Sequence, residues 1–231
     1  NSSNLLYTLK GHVNSVESIT RISLPNSGED ILLSGDWNGN LLGWKLAGKT
    51  AEDDNEAPTH SKKKRKVTDQ KAEVIQDIKP FFTQKAHNQS ITSIFSTSSF
   101  TSVYTSSWDH SFKLWDLDKL DSILTINCSK VITSLDVSSA DRIATSHPDG
   151  RVRIWDTKTK EASNVPVLSF GKTNNWISQV KWMPDSDQIF ASVDYSGVVS
   201  VWDVRTSVPL SNQEIHDGKG FSVAWSGLNE D

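Results

Sequence analysis

A hydroxyl, an imidazole and a carboxylate fall close together in one stretch of the chain, as Thr105, His87 and Asp109, with Trp115 shortly after. In an acyl-transfer hydrolase such a trio works as nucleophile, general base and orienting acid. The same residue types can also form a buried chain of hydrogen bonds. The Trp indole then donates to the hydroxyl, the hydroxyl to the imidazole, and the other imidazole nitrogen to the carboxylate. Repetition decides between the two. Ten positions before Trp44, Trp115, Trp155 and Trp202 stand Ser34, Thr105, Thr145 and Ser192, always a small hydroxyl. Six positions before the same tryptophans stand Asn38, Asp109, Asp149 and Ser196, all turn formers. A nucleophile is needed once, whereas a group placed at one offset in every repeat is structural mortar. The chain also has no G-x-S-x-G elbow and no H-E-x-x-H pair. No enzyme, metal set or cofactor is expected.

The repeats differ in how much of the polar chain they can build. Blade two has the whole set, His87, Thr105, Asp109 and Trp115. Blade one offers His12, Ser34 and Trp44, but Asn38 replaces the acid and should weaken the last link. Blades three and four lack the entering His, so they are expected to rely on apolar packing. His110 and His147 fall in turns, His60 in a polar loop, and Cys128 reads as a small unreactive residue near a blade entrance.

The elements that would hold these residues are short β-rich runs bounded by Gly, Asn and Asp, which read as strand-turn-strand meanders. In blade one they are Val16 to Ile19, Ile31–Ser34 and Leu41–Trp44. Blade two uses Ile91–Phe95, Ser102–Thr105 and Phe112–Trp115. Blade three uses Val131–Leu135, Arg142–Thr145 and Val152–Trp155, and blade four Ile177–Trp182, Gln188–Ser192 and Val198–Trp202. Leu5–Lys10 reads as the outer strand of a preceding blade, and Phe221–Trp225 as the first strand of a following one. Self-similarity at this period is the mark of a repeat architecture in which each unit is one four-stranded propeller blade. The fold class expected is all-β. Four blades with flanking strands cannot close a ring, so further blades are expected to complete it.

Residues 1–45 are expected to hold the end strand and first blade, and residues 81–231 three further blades and the start of a fifth. Between them, residues 46–80 break the pattern with acidic Glu52-Asp53-Asp54 and the basic run Lys62, Lys63, Lys64, Arg65 and Lys66. Their apolar content is too low to repay ordering, so a solvated insertion between blades is expected. Short Lys/Arg-rich runs are a cue for nuclear import, and this run has the same residues as the core of a well-known viral import signal; a charged solubilising loop and a contact to RNA phosphates are the other readings.

Beside each turn position stands Trp37, Trp108, Pro148 or Tyr195, and Trp176 lies where the chain enters blade four. Aromatic rings on the face where the turns surround the channel are typical anchors for a protein partner. Trp37, Trp108, Trp176 and Tyr195 are therefore the candidate partner-binding residues, against the plainer reading of each ring as packing over its neighbour.

Composition agrees with this reading. The chain of 231 residues has 35% hydrophobic and 23% charged residues, enough for a sizeable core. A net charge of −4 argues against general nucleic-acid binding, and a single cysteine leaves no internal disulfide framework. No apolar run approaches a membrane span. The first residue is Asn1 rather than Met, which reads as a fragment or processed chain.

The pattern resembles the WD40 β-propellers, here four blades plus flanking strands of a seven-bladed ring. More narrowly, three features resemble the WD-repeat subunit of the trimeric ribosome-assembly complex called PeBoW in animals. They are Ser107-Trp108-Asp109-His110 with Lys113-Leu114-Trp115-Asp116, the basic insertion one blade earlier, and Ser178-Gln179-Val180-Lys181-Trp182-Met183-Pro184 after Asn175-Trp176. The resemblance implies a scaffold that binds a second WD-repeat propeller subunit on pre-ribosomal particles, in possible indirect association with RNA. It would support large-subunit rRNA maturation in the nucleus, nucleolus and nucleoplasm. It also implies a ubiquitin-like domain ahead of the propeller, with no match in this chain. A substrate receptor of a ubiquitin ligase is the alternative, and a propeller hydrolase a third.

Overall fold

The computed structural model describes residues 7–23, 30–46, 76–97, 101–157, 164–171 and 174–226. Strand β1 (Tyr7–Leu9) stands first, followed by the meander β2 (Val16–Ser23), β3 (Asp30–Asp36) and β4 (Asn40–Leu46). After the insertion come β5 (Gln76–Ile78) and β6 (Phe82–Lys85). The first sheet has the order β2-β3-β4-β6, while β1 pairs in parallel with β5. The second sheet is β7 (Ile91–Ser96), β8 (Ser102–Ser107), β9 (Ser111–Asp116) and β10 (Asp121–Asn127). The third is β11 (Ser134–Val137), β12 (Arg142–Ser146), β13 (Val152–Asp156) and β14 (Leu168–Phe170). The fourth is β15 (Ile177–Trp182), β16 (Ile189–Asp194), β17 (Val198–Asp203) and β18 (Ser211–Glu214). Each is a four-stranded antiparallel meander, the form of a propeller blade.

The insertion sits differently from the expectation. β6 pairs with β4, Asn40 opposite Lys85 and Gly43 opposite Phe82, so the insertion lies inside blade one, between its third and fourth strands. Its last residues, 76–78, form β5, and Lys10 Nζ reaches Asp77 Oδ2 at 2.6 Å across the parallel pair. The boundaries drawn at 45 and 80 therefore cut through one sheet. Sequence could not reveal this, because β6 carries none of the recurring polar residues. The basic run Lys62–Lys66 lies outside the described residues.

The core lies between blades rather than within one. Ile22, Leu33 and Leu41 of blade one pack with Ile91, Val103 and Trp115 of blade two. Tyr104 and Phe112 of blade two pack with Leu135, Ile143 and Trp155 of blade three. Ala144, Val152 and Phe170 of blade three meet Val180, Phe190 and Trp202 of blade four. One sheet cannot hide both faces by itself, so stacking supplies the burial that orders the chain.

The turn joining the second and third strands needs a left-handed residue five positions before each repeat Trp. Gly39, Gly150 and Gly197 fill it with φ of 80°, 70° and 80°. In blade two His110 takes the same position at φ 69°, which accounts for this histidine without a metal. At Gly39 an added Cβ would lie 2.2 Å from the His87 carbonyl oxygen, so the loop entering blade two closes directly over this turn.

Candidate functional site

Blade two brings His87, Thr105, Asp109 and Trp115 together. The Trp115 indole donates to Thr105 Oγ1 at 2.8 Å, His87 Nε2 lies 2.7 Å from that hydroxyl, and His87 Nδ1 lies 3.0 Å from Asp109 Oδ2. With Nδ1–H donating to the carboxylate, Nε2 accepts the threonine proton and every member is satisfied. Ser111 and the Asn88 backbone N–H also donate to Asp109, at 2.6 and 2.9 Å. Burial pushes the Asp109 carboxyl up, but the bonds from His87 and Ser111 outweigh it and hold the group well below the usual carboxylate range. Thr105 is 0% exposed and its hydroxyl is engaged on both sides, so no substrate carbonyl can reach it. The trio is a strut between the entering loop and the turn.

Two expectations about the other blades need correction. In blade one the acid is not missing but displaced: Asp36 Oδ2 lies 2.9 Å from His12 Nδ1, and His12 Nε2 lies 2.6 Å from Ser34 Oγ. Asp36 also accepts the backbone N–H groups of Asn38 and Asn40 and the Asn40 side chain. Burial opposes ionisation of Asp36, while the bonds from Asn40 and His12 hold its carboxyl below the ordinary value. The buried Trp44 indole N–H has no partner among the described residues. In blade three the imidazole comes from the turn: His147 Nε2 lies 2.8 Å from Thr145 Oγ1, which also accepts the Trp155 indole at 2.8 Å. His147 Nδ1 lies 2.8 Å from the Val131 carbonyl, so it carries the proton. Blade four has no such His, and Trp202 donates to Ser192 at 2.9 Å. Its acid is Asp194, which gathers Ser196 and Val198 at the turn.

Eight positions before the repeat Trp stand Asp36, Ser107, His147 and Asp194, and six before stand Asn38, Asp109, Asp149 and Ser196. Each blade thus carries its acid at one of the two positions; Asp36, Asp109 and Asp194 accept turn N–H groups, while Asp149 pairs with Arg153 at 2.6 Å. Reading both offsets together would have found Asp36 and Asp194. A test follows directly. Asp36→Ala strands the His12 imidazole and three N–H donors, and should cost about 1–3 kcal/mol in denaturant unfolding. Asn38→Ala, at an exposed position, should change stability by less than about 0.5 kcal/mol. Equal losses would remove Asp36 from the chain drawn here.

The turn face carries the aromatic residues. Trp108 and Trp176 meet edge to face at 6.3 Å, Trp176 stacks on Tyr195 at 5.8 Å, and Tyr195 meets Phe221 at 5.6 Å. The arc spans from blade two to the strand after blade four, and Lys219 Nζ sits 5.0 Å from the Tyr195 ring centre. The rings support one another while staying accessible, with Trp108 42% and Trp176 39% exposed. Pro148, half-buried in blade three, adds no ring. Trp37 stands apart at 60% exposure, its indole donating to Glu17 Oε2 at 2.7 Å. A cleft of about 330 Å³ separates it from Trp108. Glu17, Lys219 and Phe221 were not expected in this group. Glu17 is on the face because β2 is bulged there: the register shifts between Val16 and Ser18.

Elsewhere, burial pushes the Cys128 thiol up to about 12. No group of three or more His, Cys, Asp or Glu among the described residues is arranged to hold a metal ion. No described helix is long and apolar enough to cross a membrane.

Four successive four-stranded meanders, three of them tied by an indole-to-hydroxyl bond ten residues long, define a segment of a WD-repeat β-propeller. The chain belongs to the WD domain, G-beta repeat family, whose profile matches residues 3–45, 78–116, 120–156 and 164–203. It is 32% identical over 219 residues to the Ribosome biogenesis protein WDR12 homolog of Arabidopsis thaliana, covering 94% of this chain and 48% of that protein. It is 29% identical over 222 residues to the protein of the same name from Oryza sativa subsp. japonica, with 94% and 49% covered. The chain thus spans about half the length of these curated relatives. Among solved structures it is similar to the computationally designed Ika8 protein, with a TM-score of 0.65 and 17% identity over 96% of this chain and 56% of that one. That likeness concerns the fold alone.

Proposed function

We infer that the complete protein is a non-catalytic WD-repeat scaffold in large ribosomal subunit biogenesis. In this reading it binds a second WD-repeat propeller in a PeBoW-type complex, is held on pre-ribosomal particles and supports pre-rRNA processing. The observation that carries it is the accessible arc of Trp108, Trp176 and Tyr195 on the turn face. The ribosome-biogenesis names of the relatives support the process. The net charge of −4 is in keeping with an association with rRNA that runs through protein partners.

The arc can be tested one ring at a time. Truncating a large aromatic anchor at an interface costs about 2 kcal/mol or more. Trp108→Ala in the complete protein should therefore weaken binding to the partner propeller about thirtyfold. Its exposure predicts that the melting temperature stays within a few degrees of wild type. A variant that binds normally, or that melts early, would make Trp108 packing and move the partner to another face.

In keeping with that process, the proposed location is the nucleus, nucleolus and nucleoplasm, and Lys62–Lys66 are the residues proposed to take the protein there. Fused to an inert cytosolic reporter, a peptide carrying this run should bring the reporter into the nucleus, and five alanines should abolish the effect. A reporter that stays cytosolic with the intact run would contradict the import role.

A further inference from the structure

We propose that the cleft between Trp37 and Trp108 is a receptor for an arginine side chain presented by a partner protein. The inference rests on reading the turn face as the partner surface, and it names the chemistry of one subsite there. The cleft lies between blades one and two, both present in this chain, and is lined by Glu17, Trp37, Asn88, Gln89, Ser90 and Trp108. Its volume of about 330 Å³ suits one long side chain.

Three features select a guanidinium. First, two accessible indoles flank the space, and a planar cation gains by lying on a tryptophan face. Second, the sole charge of the lining is Glu17, so the cleft is negative. The Trp37 indole takes Glu17 Oε2 at 2.7 Å, which holds the carboxylate in place, and Oε1 has no partner among the described residues. Third, the side-chain amides of Asn88 and Gln89 have no partners among the described residues and add acceptors at the cleft wall. A guanidinium has five donors in one plane and can serve a carboxylate oxygen and an amide together, whereas an ammonium is a compact point charge.

The test uses the complete protein with 5-fluorotryptophan incorporated, followed by fluorine NMR. The probe is N-acetyl-Gly-Arg-Gly-amide, compared with the same peptide carrying lysine or the neutral isostere citrulline. The Trp37 and Trp108 signals should shift together and saturably with the arginine peptide. Citrulline should give no saturable shift, and lysine should bind more weakly. Glu17→Gln, an exposed change, should weaken arginine binding about tenfold while leaving the spectrum of the free protein folded. Equal response to arginine and citrulline, an unchanged affinity in Glu17→Gln, or no saturable shift at either tryptophan would overturn the proposal. If the titration fails while Trp108→Ala still loses the partner propeller, the scaffold stands and only the arginine subsite falls. If the titration succeeds and no ribosome-assembly partner is captured, the subsite stands and the process is wrong.

Discussion

Trp115→Ala should destabilise the complete propeller by about 3–5 kcal/mol, seen as an earlier denaturant midpoint. Trp115 is 5% exposed and fills the space between blades one and two with Ile91, Val103 and Leu33. Truncation removes that apolar surface from a close-packed interior and leaves a void whose walls belong to two different sheets. It also removes the indole that donates to Thr105 at 2.8 Å, so a 0% exposed hydroxyl loses a donor and the link to His87 loosens. Trp115→Phe separates the two parts, since it keeps most of the volume and drops the N–H. It should recover more than half of the loss. An alanine variant that costs no more than an ordinary surface change would mean that the inter-blade core is not where the stability lies.

His147 should make folding stability depend on pH between about 6.5 and 4. It is 0% exposed, and burial first, then the charge of Arg153, push its imidazole down from 6.5 to about 4. Between those values the unfolded chain holds a proton that the folded chain refuses. The stabilisation is therefore complete above pH 6.5 and is lost as pH falls towards 4, by about 3 kcal/mol in all. Asp136 works against this trend. Burial raises its carboxyl despite Lys181 at 2.8 Å, so the folded state takes up a proton earlier than the unfolded one and gains as pH falls. The His147 share is isolated by comparing wild type with His147→Asn. The variant should be less stable at pH 7, because Thr145 and the Val131 carbonyl lose a partner, and the gap should close as pH falls to 4. Parallel profiles would show that His147 does not titrate in this window.

What could be read from the sequence follows from what repeats. The hydroxyl ten residues before each Trp and the turn six before it recur in every blade, so the blade count and the polar chain of blade two were both legible. The outer strand of each blade makes one edge and no recurring polar contact, so β6 gave no signal and the insertion was placed between blades instead of within one. Asp36 was missed because the turn offers two positions from which a carboxylate can reach the same donors, and His147 because its imidazole comes from the turn instead of the entering loop. The repeat offsets put Trp37, Trp108 and Tyr195 beside the turns, but left open the geometry of their rings and of Trp176. Which rings touch depends on how far neighbouring blades rotate, and Trp37 turns out to face a cleft while the other three form an arc. Glu17 was missed because it sits at the first-strand bulge, which recurs in β7 and β15 but carries a different residue in each blade.

On the function proposed above, the complete propeller holds a ribosome-assembly complex together. Affinity purification of the complete protein from cells, with co-purifying proteins identified by mass spectrometry, tests it most directly. A second WD-repeat subunit should co-purify in stoichiometric amount together with large-subunit assembly factors, and all should be lost from the Trp108→Ala preparation. Recovery of ubiquitin-ligase adaptors in their place, or of no assembly factor from a protein that is folded and nuclear, would contradict it.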